Sequence, residues 1–363
     1  MIHSEFHNIK VAGMAVAVPK TREVIAEKYG PIFGEKTVEK FSATTGVVER
    51  RVAREEQTAS DFAYTAAEKL LSAKEIDRES IGICIFVTQT PDYRMPASAC
   101  VLHKRLGLPK DCIAFDINLG CSGFVYGMQV VSSLMQTIDI KYGLLLVGNT
   151  NTKYIAPTDS SAVMLFGDSG SATLLEKEDV APLISTACRT DGEKFKAVII
   201  PSGACRNRTA PRERVKWGDG NERSDYDIYM NGMDVFTFTI AEVPALVNEF
   251  IEKTGIDKDG FDCYALHQAN CLILKQLVKK VKLGKEKVHI SMDRYGNTSA
   301  TSIPVTLCDR YGDCSDGENK KIFSCGFGTG LSWGIAAFEV NPSNILPIIE
   351  TDDYYKDGSV SHN

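Results

Sequence analysis

Short apolar runs alternate along this chain with amphipathic stretches of helical period, and that alternation predicts an α/β fold. Residues 9–18, IKVAGMAVAV, read as a first strand closed by Pro19. Thr58–Asp61 can cap a helix that runs to Ala73, with Phe62, Ala66, Leu70 and Ala73 along one side. Residues 81–88, IGICIFVT, are almost continuously apolar, as a central parallel strand must be when both its faces are covered. The loop TQTPDYRMPASA leads to a helix over Ala99–Leu106. A short buried strand is expected over 112–117, followed by Phe124, Val125, Met128, Val131, Leu134 and Met135 at helical spacing. Tyr142–Gly148 reads as another buried strand, and Val163–Leu175, with FGDSGSATLL, as paired strands joined near Gly167–Gly170.

The pattern then starts again. Residues 179–201 read as strands and turns, and 202–228 as a polar, Arg-rich surface excursion. A long amphipathic helix is expected over Met233–Lys253, with Pro244 as a possible kink. Cys263–Leu266 predicts a strand and Asn270–Lys282 a helix, buried through Leu274, Leu277, Val278 and Val281. Lys321–Cys325 and Trp333–Val340 predict strands around GFGTGLS. Strand-then-Cys-helix at 112–135 is matched by strand-then-His-helix at 263–282, and the glycine loop 167–170 by 326–330. A duplicated α/β unit follows: an N-terminal half over 1–178, a C-terminal half over 179–340, and a polar acidic tail, 341–363, without pattern.

Composition narrows the class. A 363-residue chain that is 44% hydrophobic and 24% charged has the balance of a globular protein. Its formal charge of −6 supplies no basic field for nucleic acid. No apolar run reaches the ~20 residues that cross a bilayer, and the N-terminus lacks a signal pattern, so a cytoplasmic location is expected. The 11 cysteines are odd in number and scattered, which fits a reduced protein better than a disulfide framework. No Cys/His grouping has zinc-ligand spacing, so no metal is expected.

Within this frame Asp116–Met128, DINLGCSGFVYGM, places Cys121 on a strand-to-helix turn. Unpaired N–H groups at a helix start favour a thiolate there, although a cysteine in this position can also be plain core packing. YALHQAN puts His267 at a strand end before a helix, and DRYGNTSATSIP puts Asn297 in a turn before a helix. Each has an ordinary structural use, a hydrogen-bonded His or a turn-forming Asn. All three at strand-to-helix positions point instead to one site.

DINLGCSGF, HQAN, GNTSATSIPVTL and GFGTGLSWG, taken in order, resemble β-ketoacyl–acyl carrier protein synthase III, a thiolase-fold condensing enzyme. The likeness runs from about Thr44 to Val340. It implies a duplicated thiolase-like fold, two mixed-sheet halves with helices between and around them. It implies an acyl group carried on Cys121, then decarboxylative condensation with a malonyl thioester on acyl carrier protein. In that scheme His267 and Asn297 donate hydrogen bonds to the enolate, and the backbone N–H groups of Cys121 and Thr329 form an oxyanion hole. Phe327, Met95, Asn270 and Phe236 take substrate-pocket positions, with Met95 reaching into a partner subunit of a homodimer. No tightly bound cofactor is implied. CoA or acyl carrier protein phosphopantetheine thioesters are the substrates, for fatty acid initiation or a specialised acyl pathway.

Other readings remain open. An acyltransferase of the same fold would pass the acyl-Cys group to an oxygen or nitrogen nucleophile, which leaves the enolate donor Asn297 unused. A silent assembly partner would need none of the three residues. A papain-like hydrolase uses Cys, His and Asn within a different local sequence. The carrier-binding rim also departs from the family: Lys40 and Ser160 stand where a Trp and an Arg hold adenine, and Leu272 stands where an Arg meets the carrier protein. Lys275, Lys279 and Lys282 on one helix face, or Arg206 and Arg208 in the polar excursion, are the candidate substitutes. Charge runs of this kind also form ordinary solvated faces.

Overall fold

The computed structural model describes residues 1–315 and 317–356. The first mixed sheet runs β17 (Ile349–Thr351), β2 (Ile9–Pro19), β8 (Ser169–Lys177), β7 (Tyr142–Asn149), β5 (Ile81–Val87) and β6 (Ile113–Ile117). The second runs β1 (His3–Phe6), β9 (Ile184–Thr190), β16 (Ser332–Val340), β15 (Lys320–Gly328) and β14 (Cys263–Leu266). Helices α5 (Gly123–Thr137) and α9 (Ser302–Tyr311) pack against strands of both sheets and form the layer between them. On the outside, α3 (Ala59–Ala73) and α4 (Ser98–Leu106) cover the first sheet, and α6 (Gly232–Thr254), with α7 (Cys271–Val281) against it, covers the second. The N-terminal segment 22–51 adds α1 (Ile25–Phe33), α2 (Glu35–Thr45) and the pair β3 (Arg22–Val24) and β4 (Glu49–Arg51).

The middle layer exists because α5 is apolar on both flanks. Phe124, Val125, Met128, Val131 and Met135 share one core with Ile85, Val87 and Val147 of the first sheet and Ile322, Ala336 and Phe338 of the second. Gly127 allows the close approach: a Cβ there would overlap Leu145. The expected cap of α3 is present, with Thr58 and Asp61 bonding each other's backbone N–H reciprocally.

The two halves repeat strand by strand. β2–β8 and β8–β7 are antiparallel and β7–β5 parallel; β9–β16 and β16–β15 are antiparallel and β15–β14 parallel. β6 extends the first set in parallel, and an isolated parallel bridge, Tyr264 to Val288, stands in its place in the second. This corrects the pairing expected from sequence. The strand before His267 corresponds to β5, and the strand before Cys121 corresponds to the segment around Val288.

Other expectations also change. Among the described residues the strand at 112–117 is an edge, bonded on one side only, and Ile113 is 42% exposed rather than buried. FGDSG is not a hairpin: only Ser169 onward is strand, because buried Asp168 accepts the Ala53 and Thr152 N–H groups and holds its loop down. The excursion 202–228 holds β11 (Val215–Lys216) paired with β12 (Glu222–Arg223), while β10 (Val198–Ile199) pairs with β13 (Tyr229–Met230). It is anchored, since Arg223 is wholly buried against Asp159 and Asp219. The tail is patterned too: β17 adds to β2, and Tyr355 N–H donates to Asp61. Residues 357–363 of that tail lie outside the described residues. Among the described residues no helix is long and apolar enough to cross a membrane.

Candidate active site

Cys121 lies in the turn between β6 and α5, two residues before the helix begins. It stacks on Gly328 at the end of β15: a Cβ on Gly328 would sit 2.7 Å from Cys121 Cβ and 2.9 Å from Sγ. The next residue, Thr329, turns its backbone toward the sulfur. Hydrogen bonds from the backbone of Thr329 and of Cys121, and from the Ser299 hydroxyl 3.8 Å away, favour the thiolate. Burial outweighs them and pushes the thiol above its ordinary value.

Asn297 reaches the same place from the second half. Its backbone is clamped by the first half, with its N–H donating to Leu165 at 2.8 Å and its carbonyl accepting from Gly167 at 3.1 Å. Gly167 is required there, since a Cβ would overlap the Tyr295 carbonyl. Asn297 Oδ1 accepts the Ser299 N–H at 2.9 Å. That bond fixes the amide so that its oxygen is occupied and its two N–H bonds remain available. Ser299 has φ of 55°, a left-handed conformation that few side chains adopt, and is 1% exposed. The turn thus carries Asn297 and the Cys121-facing hydroxyl together.

His267 follows β14, with its N–H bonded to Cys325 of β15. Its ring packs edge-on to Phe327 at 5.2 Å, and Nδ1 lies 2.7 Å from the Ser302 hydroxyl. Burial lowers its pKa to about 3, with the Ser299 backbone working weakly the other way, so the imidazole is neutral at working pH. Gln268 stitches this strand end to the segment leading to Asn297: its amide donates to Leu266 and accepts from Ser291 N–H.

Cys121, Thr329, Phe327, His267 and Asn297 are thereby linked through direct neighbours. Asn270 serves as the N-cap of α7, its side chain accepting the Ile273 N–H at 2.8 Å, and Phe236 is half-buried in the second-half core. Met95 is 83% exposed on its loop. Lys275, Lys279 and Lys282 are exposed, as are Arg206 and Arg208, and none of the five makes an ion pair among the described residues. Lys40 is exposed on α2, Leu272 is exposed on α7, and Ser160 is engaged by Asn221. Ser299, Ser302 and Gln89 were not singled out by sequence. The Asn-x-Ser spacing of Asn297 and Ser299, which permits an Asx turn, was the one available signal. No three His, Cys, Asp or Glu side chains converge on a metal position among the described residues.

Residues 115–192 match the 3-oxoacyl-[acyl-carrier-protein (ACP)] synthase III model, and 251–340 match its C-terminal counterpart. The chain is 32% identical to a putative 3-oxoacyl-[acyl-carrier-protein] synthase 3 of Campylobacter jejuni over 94% of its own length and 98% of the relative's. It is 33% identical to a β-ketoacyl-[acyl-carrier-protein] synthase III of Clostridioides difficile over 81% and 87% of the two chains. A 3-oxoacyl-(acyl-carrier protein) synthase from Burkholderia xenovorans LB400 superposes with TM-score 0.90 at 36% identity, covering 96% of this chain and 99% of the other. Two matching sheets around a shared helical layer, with this site between them, define a thiolase-like condensing enzyme. The chain belongs to the 3-oxoacyl-[acyl-carrier-protein] synthase III family.

Proposed function

We propose that this enzyme joins an acyl thioester to malonyl-acyl carrier protein by decarboxylative Claisen condensation. One observation carries the reading: the nucleophile and two neutral hydrogen-bond donors, from opposite halves of the chain, meet through Ser299 and Phe327–Gly328. Cys121 sulfur attacks the donor carbonyl, its bond to carbon forms, and the carrier thiol leaves with the proton. The backbone N–H groups of Cys121 and Thr329 hold the oxyanion. Malonyl thioester then loses carbon dioxide. The electron pair moves onto the thioester oxygen, where His267 and Asn297 donate without bringing a net negative charge near it. The enolate carbon attacks the acyl carbonyl and the Cys121 thiolate leaves. The product is a β-ketoacyl-acyl carrier protein.

The enzyme acts as a homodimer in this reading. The unpaired edge of β6 and the exposed Met95 support a second copy on that side. A cytoplasmic location follows from its carrier-bound substrates. The acidic carrier protein docks on Lys275, Lys279 and Lys282, with Arg206 and Arg208 as the second basic group. Incubation with an acyl thioester, followed by malonyl-acyl carrier protein, tests the scheme. A mass adduct on Cys121, then carbon dioxide release and a longer acyl-carrier product, is expected. An adduct that transfers to a hydroxyl or amine with no carbon dioxide would overturn it.

A further inference from the structure

The surroundings of Cys121 are polar on the side of the first sheet. Gln89 follows β5 on the face that Val87 turns toward α5, and its amide oxygen lies over Gly120: a Cβ on Gly120 would overlap it. The same Cβ would stand 3.3 Å from the Thr329 hydroxyl, so Gln89 and Thr329 meet over Gly120, the residue before Cys121. Next to it, Asn149 ends β7 on the face shared with Val147. Asn149 Oδ1 accepts the Gln89 backbone N–H at 3.0 Å. Its own amide nitrogen is fully buried and has no hydrogen-bond partner among the described residues. Behind these, the Thr90 hydroxyl accepts the Thr150 N–H at 2.9 Å, and both residues are buried. The Gln89 side chain makes no hydrogen bond among the described residues.

The Gln89 amide is half-buried and can meet water, and an acyl chain seated over it would strip that water away. A buried unpaired polar group loses the hydrogen bonds it had in water. A chamber meant only for a hydrocarbon chain is best lined by apolar groups, because an alkyl chain offers nothing to Gln89 or Asn149. An acyl chain with its own hydroxyl or carbonyl can satisfy the amide as it binds. We infer that the acyl group this enzyme loads onto Cys121 carries a hydroxyl or carbonyl within its first few carbons, and that Gln89 selects it. The inference rests on the reading that Cys121 is acylated by a thioester. The loading step is the exchange described above, with Gln89 bonding the substituent and taking no proton.

The test uses a matched pair of pantetheine thioesters, butyryl and 3-hydroxybutyryl, with intact-protein mass spectrometry following adduct formation on the full chain. The wild type should load 3-hydroxybutyryl about tenfold faster, the scale of one satisfied hydrogen bond. Gln89→Leu, close in volume, should invert the order by slowing the hydroxy donor and speeding butyryl. Equal or faster loading of butyryl by the wild type would overturn the inference while leaving acylation of Cys121 standing. So would an unchanged preference in Gln89→Leu whose melting temperature matches the wild type. Absence of any adduct with either donor would overturn the acylation reading itself, and this inference with it. The wild-type ratio decides the matter even where the variant fails to fold.

Discussion

The Ser302 hydroxyl stands 2.7 Å from Nδ1 of His267, on the first turn of the helix that follows the Asn297 loop. A hydroxyl donating to Nδ1 leaves the ring proton on Nε2, which is the tautomer that can donate to a thioester oxygen. Ser302→Ala should therefore slow condensation about fivefold to tenfold, one net hydrogen bond of ~1 kcal/mol, and spare loading of Cys121. The imidazole ¹⁵N shifts of His267 should move toward a tautomer mixture in the variant. Unchanged shifts would show that Ser302 only fills space.

The acid behaviour of His267 follows from its burial. Its folded pKa is about 3, against ~6.5 for an ordinary imidazole. The unfolded chain thus binds a proton that the folded one excludes. Stability from neutral His267 is complete above ~6.5 and is lost as pH falls through that value toward 3. Urea unfolding at pH 7 and pH 5 should show a smaller loss for His267→Gln than for the wild type. One excluded proton is worth ~1.4 kcal/mol per pH unit. Equal losses would mean that His267 titrates normally in the folded protein.

Division of labour at the site gives a kinetic prediction. Cys121→Ser should form no thioester adduct. Asn297→Asp keeps an oxygen to accept from Ser299 but loses both N–H donors and adds negative charge beside the enolate. It should load normally and lose condensation by about 10²–10³-fold. His267→Ala should behave the same way. If His267→Ala instead blocked loading as fully as Cys121→Ser, His267 would be the base for the thiol.

Gly328 is tested by adding one methyl. The new Cβ would sit 2.9 Å from the Cys121 sulfur, closer than carbon and sulfur can pack. Gly328→Ala should cost ~1–3 kcal/mol in stability and displace the nucleophile from the Thr329 N–H. Loading should fall far more than unfolding midpoints change. Normal loading in a folded variant would show that this turn is not rigid.

How much of this was readable in sequence depends on the range of the interaction. Cys121, His267 and Asn297 are legible because each sits on a local strand-to-turn signature with its own motif. The FGDSG stretch misled because its glycines serve a distant partner. Gly167 makes room for the Tyr295 carbonyl and pins Asn297, contacts that no local periodicity records. Likewise β6 reads as a buried strand from its apolar residues, since nothing in IAFDI marks a sheet edge. β17 was missed because a three-residue strand has too little period to detect and gains its place only by pairing with β2. Gln89 was passed over because its meaning lies in facing Gly120 across the sheet end.

Carrier docking gives the last prediction. Helix α7 and the turn after it hold many lysines and few acids, and the lysines divide by use. Lys280 donates to the Ile240 carbonyl and Lys287 to that of Asp259, which ties them to the fold. Lys275, Lys279 and Lys282 remain exposed with no ion pair among the described residues. Lys275 and Lys279 share α7 with Leu272 and Lys282 follows its end, and Cys271 beside Leu272 packs against Gly46, so the face lies just beyond the strand end that carries His267. The protein as a whole is acidic, with formal charge −6, so an acidic carrier is repelled except where positive charge is gathered. Such an encounter is screened within a Debye length of ~8 Å at physiological salt. The double reversal Lys275→Glu, Lys279→Glu should raise KM for carrier-bound malonyl about tenfold or more and leave loading by a small thioester within twofold. Raising salt should weaken the wild type toward the variant and affect the variant little. A KM unmoved by the reversals and by salt would place carrier docking elsewhere, with Arg206 and Arg208 the next group to reverse.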